Sequence, residues 1–418
     1  MASGKNYRFV RLTARALVLA LSGCQYPKGQ DVTELADQSS SRVQPELPAS
    51  TPPGDDSSQG AQVPANGGGP ASPGPTGGPA GDARPPSLMP DPTSPDSTAT
   101  PPPPLASVLP IVFRSARDPN SASNLYLMAA DGSGVRQVTH DGEFYFPRWS
   151  PDGTAILFRR YAEAPAPAGD LGLVAADGSQ MVMLTSGEHP FLVSFPSSWS
   201  FDGQSLVFPS VVQPPPAAES GLWLFTMSKR GGQRTRLLAG DRGTRPFQQE
   251  GTWAPPDGSR LAYVETDDTG RGLDVLLITP SAADPAINLT QGRVAIPSHL
   301  SWSPDGRRLA FAGLPKLPDG RIENEDQHLD GGLLVLDWEL FVIDVATREL
   351  TRLTDNLGDD SEPSWSPDGQ SLLITSQRDG DYDIWLVPLD DPDSARNLID
   401  DNDNPHDDMT PSWYWGPR

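Results

Sequence analysis

The sequence contains little cysteine and little lysine: Cys24 is the only cysteine, and the lysines are Lys5, Lys28, Lys229 and Lys316. A single cysteine excludes an intrachain disulfide framework. The formal net charge is −23, whereas a protein that binds nucleic acid needs clustered Lys and Arg to displace counterions from phosphates. The composition therefore predicts no nucleic-acid partner.

Motifs of common catalytic sites are also missing. The chain has no Gly-x-Ser-x-Gly nucleophile elbow, no phosphate loop that ends in Gly-Lys-Ser/Thr, and no His-Glu-x-x-His zinc motif. We therefore predict no catalytic residues, no cofactor and no metal ion, and we interpret the protein as a non-enzyme.

Residues 25–106 contain no Phe, no Trp and no Ile, although 19 of the 47 prolines of the chain lie there. With so few apolar side chains, the segment cannot bury enough surface to offset the entropy that ordering would remove. We predict that residues 24–107 form a disordered tether rich in Pro, Gly and Ser.

The N-terminus combines basic residues up to Arg15, a short apolar run over residues 16–21, and then Ser22 and Gly23. This order is typical of a secretory signal, here residues 1–23, and the apolar run is too short to span a bilayer. The stretch Leu21-Ser22-Gly23-Cys24 resembles the lipobox of bacterial lipoproteins, which implies cleavage before Cys24 and its acylation. A plain signal peptide with a cysteine there by coincidence is the alternative.

The lipoprotein resemblance also implies a location. Several acyl chains hold a protein stably on a membrane. Because Gln25, not aspartate, follows Cys24, the resemblance implies the periplasmic side of the outer membrane in a diderm cell. In other bacteria it implies the outer face of the cytoplasmic membrane.

A tryptophan recurs through the rest of the chain with spacings of 50, 54, 49, 63 and 48 residues. The positions are Trp149, Trp199, Trp253, Trp302, Trp365 and Trp413. Pro-Asp-Gly follows four of them, and Phe201-Asp202-Gly203 follows Trp199. Pro presets φ, Asp caps backbone amides and Gly accepts positive φ, so the motif is a turn and not a site. Such a period, with β-rich runs after each turn, is typical of a four-stranded repeat.

Six such repeats predict an all-β protein, a six-bladed β-propeller over residues 108–418, because radial repetition protects the sheet edges. Residues 110–115 have the pattern of a second strand with no tryptophan strand before it, and residues 409–415 form a tryptophan strand with no second strand after it. We predict that these two segments pair and close the ring in one composite blade.

The repeats also carry a family resemblance. Trp-Ser-Pro-Asp-Gly, together with SQRDGDYDIW at residues 376–385 and TRLT at residues 351–354, is similar to the repeats of TolB-type six-bladed propellers over residues 109–418. The resemblance implies the fold, while function varies widely on one fold. TolB itself is a soluble periplasmic protein of the Tol-Pal envelope system, with a small α/β domain where a lipid anchor and tether are predicted here.

One face of the predicted ring gathers histidines. His140, His189, His299 and His406 fall between a fourth strand and the next tryptophan strand, and alternating strand direction brings those connections to one face. Imidazole binds Zn or Mn, as in some propeller lyases, so a metal-dependent lyase or hydrolase of an envelope polysaccharide is the alternative function. The histidines precede their tryptophans by nine, ten, three and seven residues, and this unequal register opposes convergence on one ion.

Acidic residues form two further groups. Asp379-x-Asp381-x-Asp383 is similar to the start of a calcium loop, but Ile384 stands where that loop requires Gly, so we interpret the stretch as a loop-to-strand junction. Asp401 and Asp403 belong to an acidic stretch that could chelate calcium weakly or meet a basic partner. A solvated loop is the simpler interpretation.

We expect an exported, lipid-anchored and monomeric propeller that binds an envelope protein, a peptide or a cell-wall component through the histidine-bearing face, with Asp401 and Asp403. The tether allows an anchored module to reach partners away from the lipid. Residues 315–336 enlarge one loop of that face and are either a recognition loop or a tolerated insertion.

Overall fold

The computed structural model describes residues 105–117, 123–161, 169–185, 196–211, 222–237, 248–267, 272–281, 284–323, 328–329, 333–334, 337–399 and 406–416. They form β-strands, one short helix α1 (Leu105–Val108) and one 3-10 turn (Pro392–Ser394). None of the helices in these ranges has the length and apolar character needed to cross a bilayer. The predicted signal peptide, Cys24 and nearly all of the predicted tether lie outside the described residues.

Six four-stranded antiparallel sheets form the blades, numbered here by their tryptophans in chain order. Blade 1 contains β4 (Phe144–Trp149), β5 (Ala155–Tyr161), β6 (Gly169–Ala175) and β7 (Met181–Met183). Blade 2 contains β8 (Ser198–Trp199), β9 (Ser205–Val211), β10 (Leu222–Ser228) and β11 (Thr235–Arg236). Blade 3 contains β12 (Gln248–Trp253), β13 (Leu261–Thr266), β14 (Gly272–Ile278) and β15 (Ile287–Asn288).

The second half of the ring repeats this plan. Blade 4 contains β16 (Val294–Trp302), β17 (Arg308–Pro315), β20 (Glu339–Asp344) and β21 (Leu350–Arg352), with a two-stranded ribbon of β18 (His328–Leu329) and β19 (Leu333–Leu334) between β17 and β20. Blade 5 contains β22 (Asp360–Trp365), β23 (Ser371–Ser376), β24 (Asp383–Pro388) and β25 (Arg396–Asn397). Blade 6 contains β26 (Asp408–Trp413), β1 (Ile111–Ser115), β2 (Asn124–Met128) and β3 (Arg136–Gln137). The prediction of an all-β, six-bladed propeller is confirmed.

Blade 6 closes the ring by joining the two ends of the propeller. Strand β26 pairs antiparallel with β1, so that Ile111 faces Trp413 and Ser115 faces Asp408. The amide of Tyr414 extends this pairing by donating to the carbonyl of Pro110 at 2.8 Å. The predicted closure by a composite blade is therefore confirmed.

The Ser-Pro-Asp-Gly segments are tight turns held by their own side chains. Ser150 Oγ donates to Asp152 Oδ1 at 2.6 Å, and Thr154 N donates to the same oxygen at 3.1 Å. Gly153 has a φ of +68°, and the turns after Trp199, Trp253, Trp302 and Trp365 also hold a glycine at positive φ. Each Asp is thus engaged by the turn, which confirms that the motif is structural.

Tryptophans fasten neighbouring blades to one another. Trp302 Nε1 donates to the carbonyl of Thr252 in the preceding blade at 3.1 Å, and Trp365 Nε1 donates to the carbonyl of Ser301 at 3.0 Å. Trp365 is completely buried. Trp302 and Trp365 therefore stabilise the ring both by apolar burial and by a hydrogen bond across the blade boundary.

Candidate functional site

The first strand of each blade borders the axis of the ring, and at five of the six blade boundaries it contacts the first strand of the next blade. Five of these strands carry a non-glycine residue at positive φ in the third position before the tryptophan. These residues are Phe146 (51°), Glu250 (52°), His299 (58°), Glu362 (57°) and Thr410 (55°). The pairing register shifts at the same places. Such β-bulges redirect side chains, and the five buried side chains form what we call the bulge layer.

The bulge layer closes the channel. Phe146 and His299 belong to blades 1 and 4, which lie opposite each other in a ring of six, yet their ring centroids are only 6.2 Å apart. Phe146 is 4% exposed and His299 is 6% exposed. Because side chains from opposite blades meet, the axis is blocked at this level.

Carboxylates tie the bulge layer together across blade boundaries. Glu362 Oε1 lies 3.9 Å from His299 Nε2, and Glu362 Oε2 accepts a 2.7 Å hydrogen bond from the amide of Thr410. Glu250 Oε2 accepts a 3.0 Å hydrogen bond from the amide of Leu300 in the next blade. Each acid therefore links its own first strand to the following one, and the layer acts as a rigid floor.

A cavity of about 190 Å³ lies next to this floor and opens on the face of the Pro-Asp-Gly turns. We call it the funnel. Its indole wall consists of Trp149, Trp199, Trp253, Trp302, Trp413 and Trp415. Most of its other lining residues are serines and prolines that flank the repeated tryptophans of all six blades. The funnel is thus an apolar, aromatic concavity built by the repeat itself.

Two charged side chains line the described part of the funnel, Arg148 and Glu250. Burial lowers the pKa of the Arg148 guanidinium, and the negative charges of Glu362 and Glu250 oppose that shift; an arginine remains a charged donor in proteins. Glu250 is 3% exposed, and its Oε1 has no hydrogen-bond partner among the described residues. Buried polar atoms normally have partners, so Glu250 Oε1 is an unsatisfied acceptor in a residue that lines the funnel.

The structure separates the predicted site residues. His140 is exposed between β3 and β4, and His406 is partly buried just before β26. His299 does not lie in a connection, as the sequence suggested, but inside β16, because that first strand is nine residues long and contains a bulge. Among the described residues, the histidines form no group with metal-binding geometry; the group that does is Asp379, Asp381 and Asp383.

The other predicted site residues, His189, Asp401 and Asp403, lie outside the described residues, so the binding role of their face stays a prediction. The described residues of the insertion at 315–336 lie between the second and third strands of blade 4, on the face opposite the funnel. Sequence reasoning missed Arg148 and Glu250. Aligning the repeats on their tryptophans would have shown acids at the third position before Trp253 and Trp365.

These features define a six-bladed β-propeller with a blocked axis and an indole-lined funnel. No protein-family model matches the chain. The crystal structure of TolB from Acinetobacter baumannii aligns with a TM-score of 0.54 at 17% sequence identity, over 73% of this chain and 66% of that one. In fold, the chain is a TolB-like propeller.

Sequence comparison gives shorter matches. An uncharacterized protein of Agrobacterium fabrum is 27% identical over 194 residues, which are 46% of this chain and 54% of that protein. The Tol-Pal system protein TolB of Alcanivorax borkumensis is 34% identical over 80 residues, 19% of this chain and 14% of that protein. The chain thus spans about half or less of the lengths of these relatives.

Proposed function

We propose that this protein is a lipid-anchored, non-enzymatic binding module of the bacterial cell envelope, and that its partner inserts into the funnel. The observation that carries the proposal is the funnel itself, an indole-lined concavity with two charged groups at its base. The likeness to Tol-Pal system proteins supports the envelope location, and the lipobox at Cys24 supports the anchor.

The shape and chemistry of the funnel favour an extended segment as the occupant. Its volume of about 190 Å³ is below the usual range of roughly 300–1,000 Å³ for pockets that enclose a drug-sized ligand. A few side chains of a peptide, a protein loop or a cell-wall stem peptide match that size. Tryptophan walls supply contact area at low entropic cost, while Arg148 and Glu250 fix the orientation of the segment. The net charge of −23 favours a neutral or basic partner.

Blocking the funnel should remove binding. Thr252→Arg places a long cation on the funnel wall, and we expect at least tenfold weaker capture of the partner, because apolar contact area is lost and a charge is buried. The measurement is quantitative mass spectrometry of envelope proteins and peptidoglycan fragments retained by the immobilised full-length chain, followed by the dissociation constant of the retained partner.

Two controls make this test specific. Val182→Arg adds the same side chain to the outer strand β7, where Val182 is 49% exposed, and should leave capture unchanged. Deletion of residues 316–336 should also leave it unchanged, because that insertion lies on the other face. Capture that survives Thr252→Arg but is lost on the deletion would move the site to the histidine-bearing face and overturn the proposal.

Anchoring depends on Cys24 in this proposal. Replacing it with alanine removes the thiol that accepts the lipid, so the protein should move from the membrane fraction to the soluble fraction of lysed cells. Metabolic labelling with a radioactive fatty acid should mark the wild type and not Cys24→Ala. Lys28→Ala, four residues away, is the control and should keep both label and location. A labelled Cys24→Ala protein would contradict the lipobox.

A further inference from the structure

A hydrogen bond recurs inside the blades between the start of the third strand and the threonine after the fourth. In each case the threonine Oγ1 donates to a side-chain oxygen. The pairs are Thr139 with Asn124 (3.2 Å), Thr185 with Asp170 (3.0 Å), Thr290 with Asp274 (2.7 Å) and Thr354 with Glu339 (2.6 Å). The fold thus provides a side-chain oxygen at this position and a hydroxyl group that satisfies it.

Blade 5 keeps the oxygen and loses the hydroxyl. Asp383 begins the third strand, and Ile399 occupies the threonine position. The register is the same, because Leu398 N donates to Ile384 O at 2.9 Å just as Leu289 N donates to Val275 O in blade 3. Asp383 is 3% exposed, and its Oδ1 has no hydrogen-bond partner among the described residues. A buried carboxylate oxygen without a donor is costly.

Two further carboxylates lie next to Asp383. Ligand oxygens of Asp379, Asp381 and Asp383 all lie within 4.8 Å of one another. The amide of Asn397 donates to Asp383 Oδ2 at 2.6 Å and to Asp379 Oδ2 at 2.9 Å, which holds these two side chains in place. The arrangement concentrates negative charge around one point.

Arg378, which lies beside this group in the sequence, has other partners. The nearby Arg378 is engaged by Asp360 at 2.9 Å and stacks on Trp385, with its guanidinium carbon 4.7 Å from the ring centroid. A cation beside Asp383 would give the buried Oδ1, which has no hydrogen-bond partner among the described residues, a favourable contact.

We propose that Asp379, Asp381 and Asp383 bind a divalent cation, and that calcium is its identity. Carboxylate oxygens are the ligands that hard cations prefer, and flexible loop ligands suit calcium better than magnesium, which demands near-ideal octahedral geometry. The site lies on a β-hairpin and lacks the Gly of a helix-loop-helix calcium loop, since Ile384 occupies that position and begins to pair with β23. Its affinity falls in the range of extracellular modules, a Kd of about 10⁻⁴ to 10⁻³ M.

Terbium luminescence tests the site directly, since Tb³⁺ replaces Ca²⁺ and is sensitised by a nearby indole. Trp385 lies two residues after Asp383, on the same face of β24, and pairs in register with Asn397. The full-length chain should give tryptophan-sensitised terbium emission that Ca²⁺ displaces. Asp383→Asn should weaken binding at least tenfold, and so should the double variant Asp379→Asn/Asp381→Asn, which changes only residues outside the buried core.

Two variants distinguish calcium binding at Asp379, Asp381 and Asp383 from unspecific binding to the acidic surface. Ile399→Thr restores the hydroxyl that the other blades use, so it should weaken calcium binding and raise the melting temperature without calcium. Asp170→Asn alters the equivalent position in blade 1. It should change neither the calcium affinity nor the effect of calcium on the melting temperature. Terbium emission and calcium-dependent melting that are the same in wild type, Asp383→Asn and the double variant would overturn the proposal, because the ion would then bind elsewhere on the acidic surface.

Discussion

A chain that lacks residues 409–418 is expected to melt about 8 °C lower than the intact chain. The deletion removes β26, the only partner of β1 on that edge, and it removes the buried side chains of Met409 and Tyr414. Each large apolar side chain contributes about 1.5–3 kcal/mol by burial. With an unfolding entropy of about 2.1 cal/mol/K per residue over residues 108–418, a loss on the order of 5 kcal/mol corresponds to roughly 8 °C.

The melting temperature from circular dichroism measures this effect. Removal of residues 417 and 418 alone is the control, because it leaves β26, which ends at Trp413, and Tyr414 intact, and it should leave the melting temperature unchanged. If the longer deletion melts like the intact chain, the composite blade does not hold the ring closed. Added synthetic peptide of residues 406–418 should restore part of the lost stability by pairing with β1.

Trp365→Ala is expected to lower the free energy of unfolding by about 3–5 kcal/mol. Trp365 is fully buried, its Nε1 donates to the carbonyl of Ser301, and the Arg308 guanidinium carbon lies 4.6 Å from its ring centroid. The substitution removes all three contacts and leaves a cavity between blades 4 and 5. Urea denaturation followed by intrinsic fluorescence measures the change.

Trp253→Ala is the matched control because Trp253 occupies the same repeat position in blade 3. It is only partly buried, and its Nε1 has no hydrogen-bond partner among the described residues. We expect Trp253→Ala to lower the free energy of unfolding by about half as much as Trp365→Ala, or less. Equal losses in the two variants would show that the indole acts through its repeat position and not through its individual packing.

The repeat and its closure were predictable because they depend on local chemistry. Trp302-Ser303-Pro304-Asp305-Gly306 specifies a turn by itself, since each residue has its own conformational or hydrogen-bonding preference. The incomplete repeats at residues 110–115 and 409–415 complement each other, so closure followed from counting strands.

The bulge layer and the funnel were not predictable in the same way. Phe146, Glu250 and Glu362 adopt positive φ, which a sequence normally announces with glycine or asparagine. Here the ring imposes positive φ. The first strands converge on one axis, and the bulges direct their side chains towards that axis. The order of strand patterns places His299 in a connection, whereas it lies inside the nine-residue strand β16 and contacts a residue of the opposite blade.

The meeting of Phe146 with His299 has a mechanical consequence. The axis of the propeller is not an open channel, because solutes cannot pass the level of the bulge layer. Binding at the base of the funnel can therefore affect the opposite face through this level only if Glu250, Glu362 or their hydrogen-bonded neighbours shift. The interlocked side chains of the bulge layer therefore determine whether the two faces of the propeller are coupled or independent.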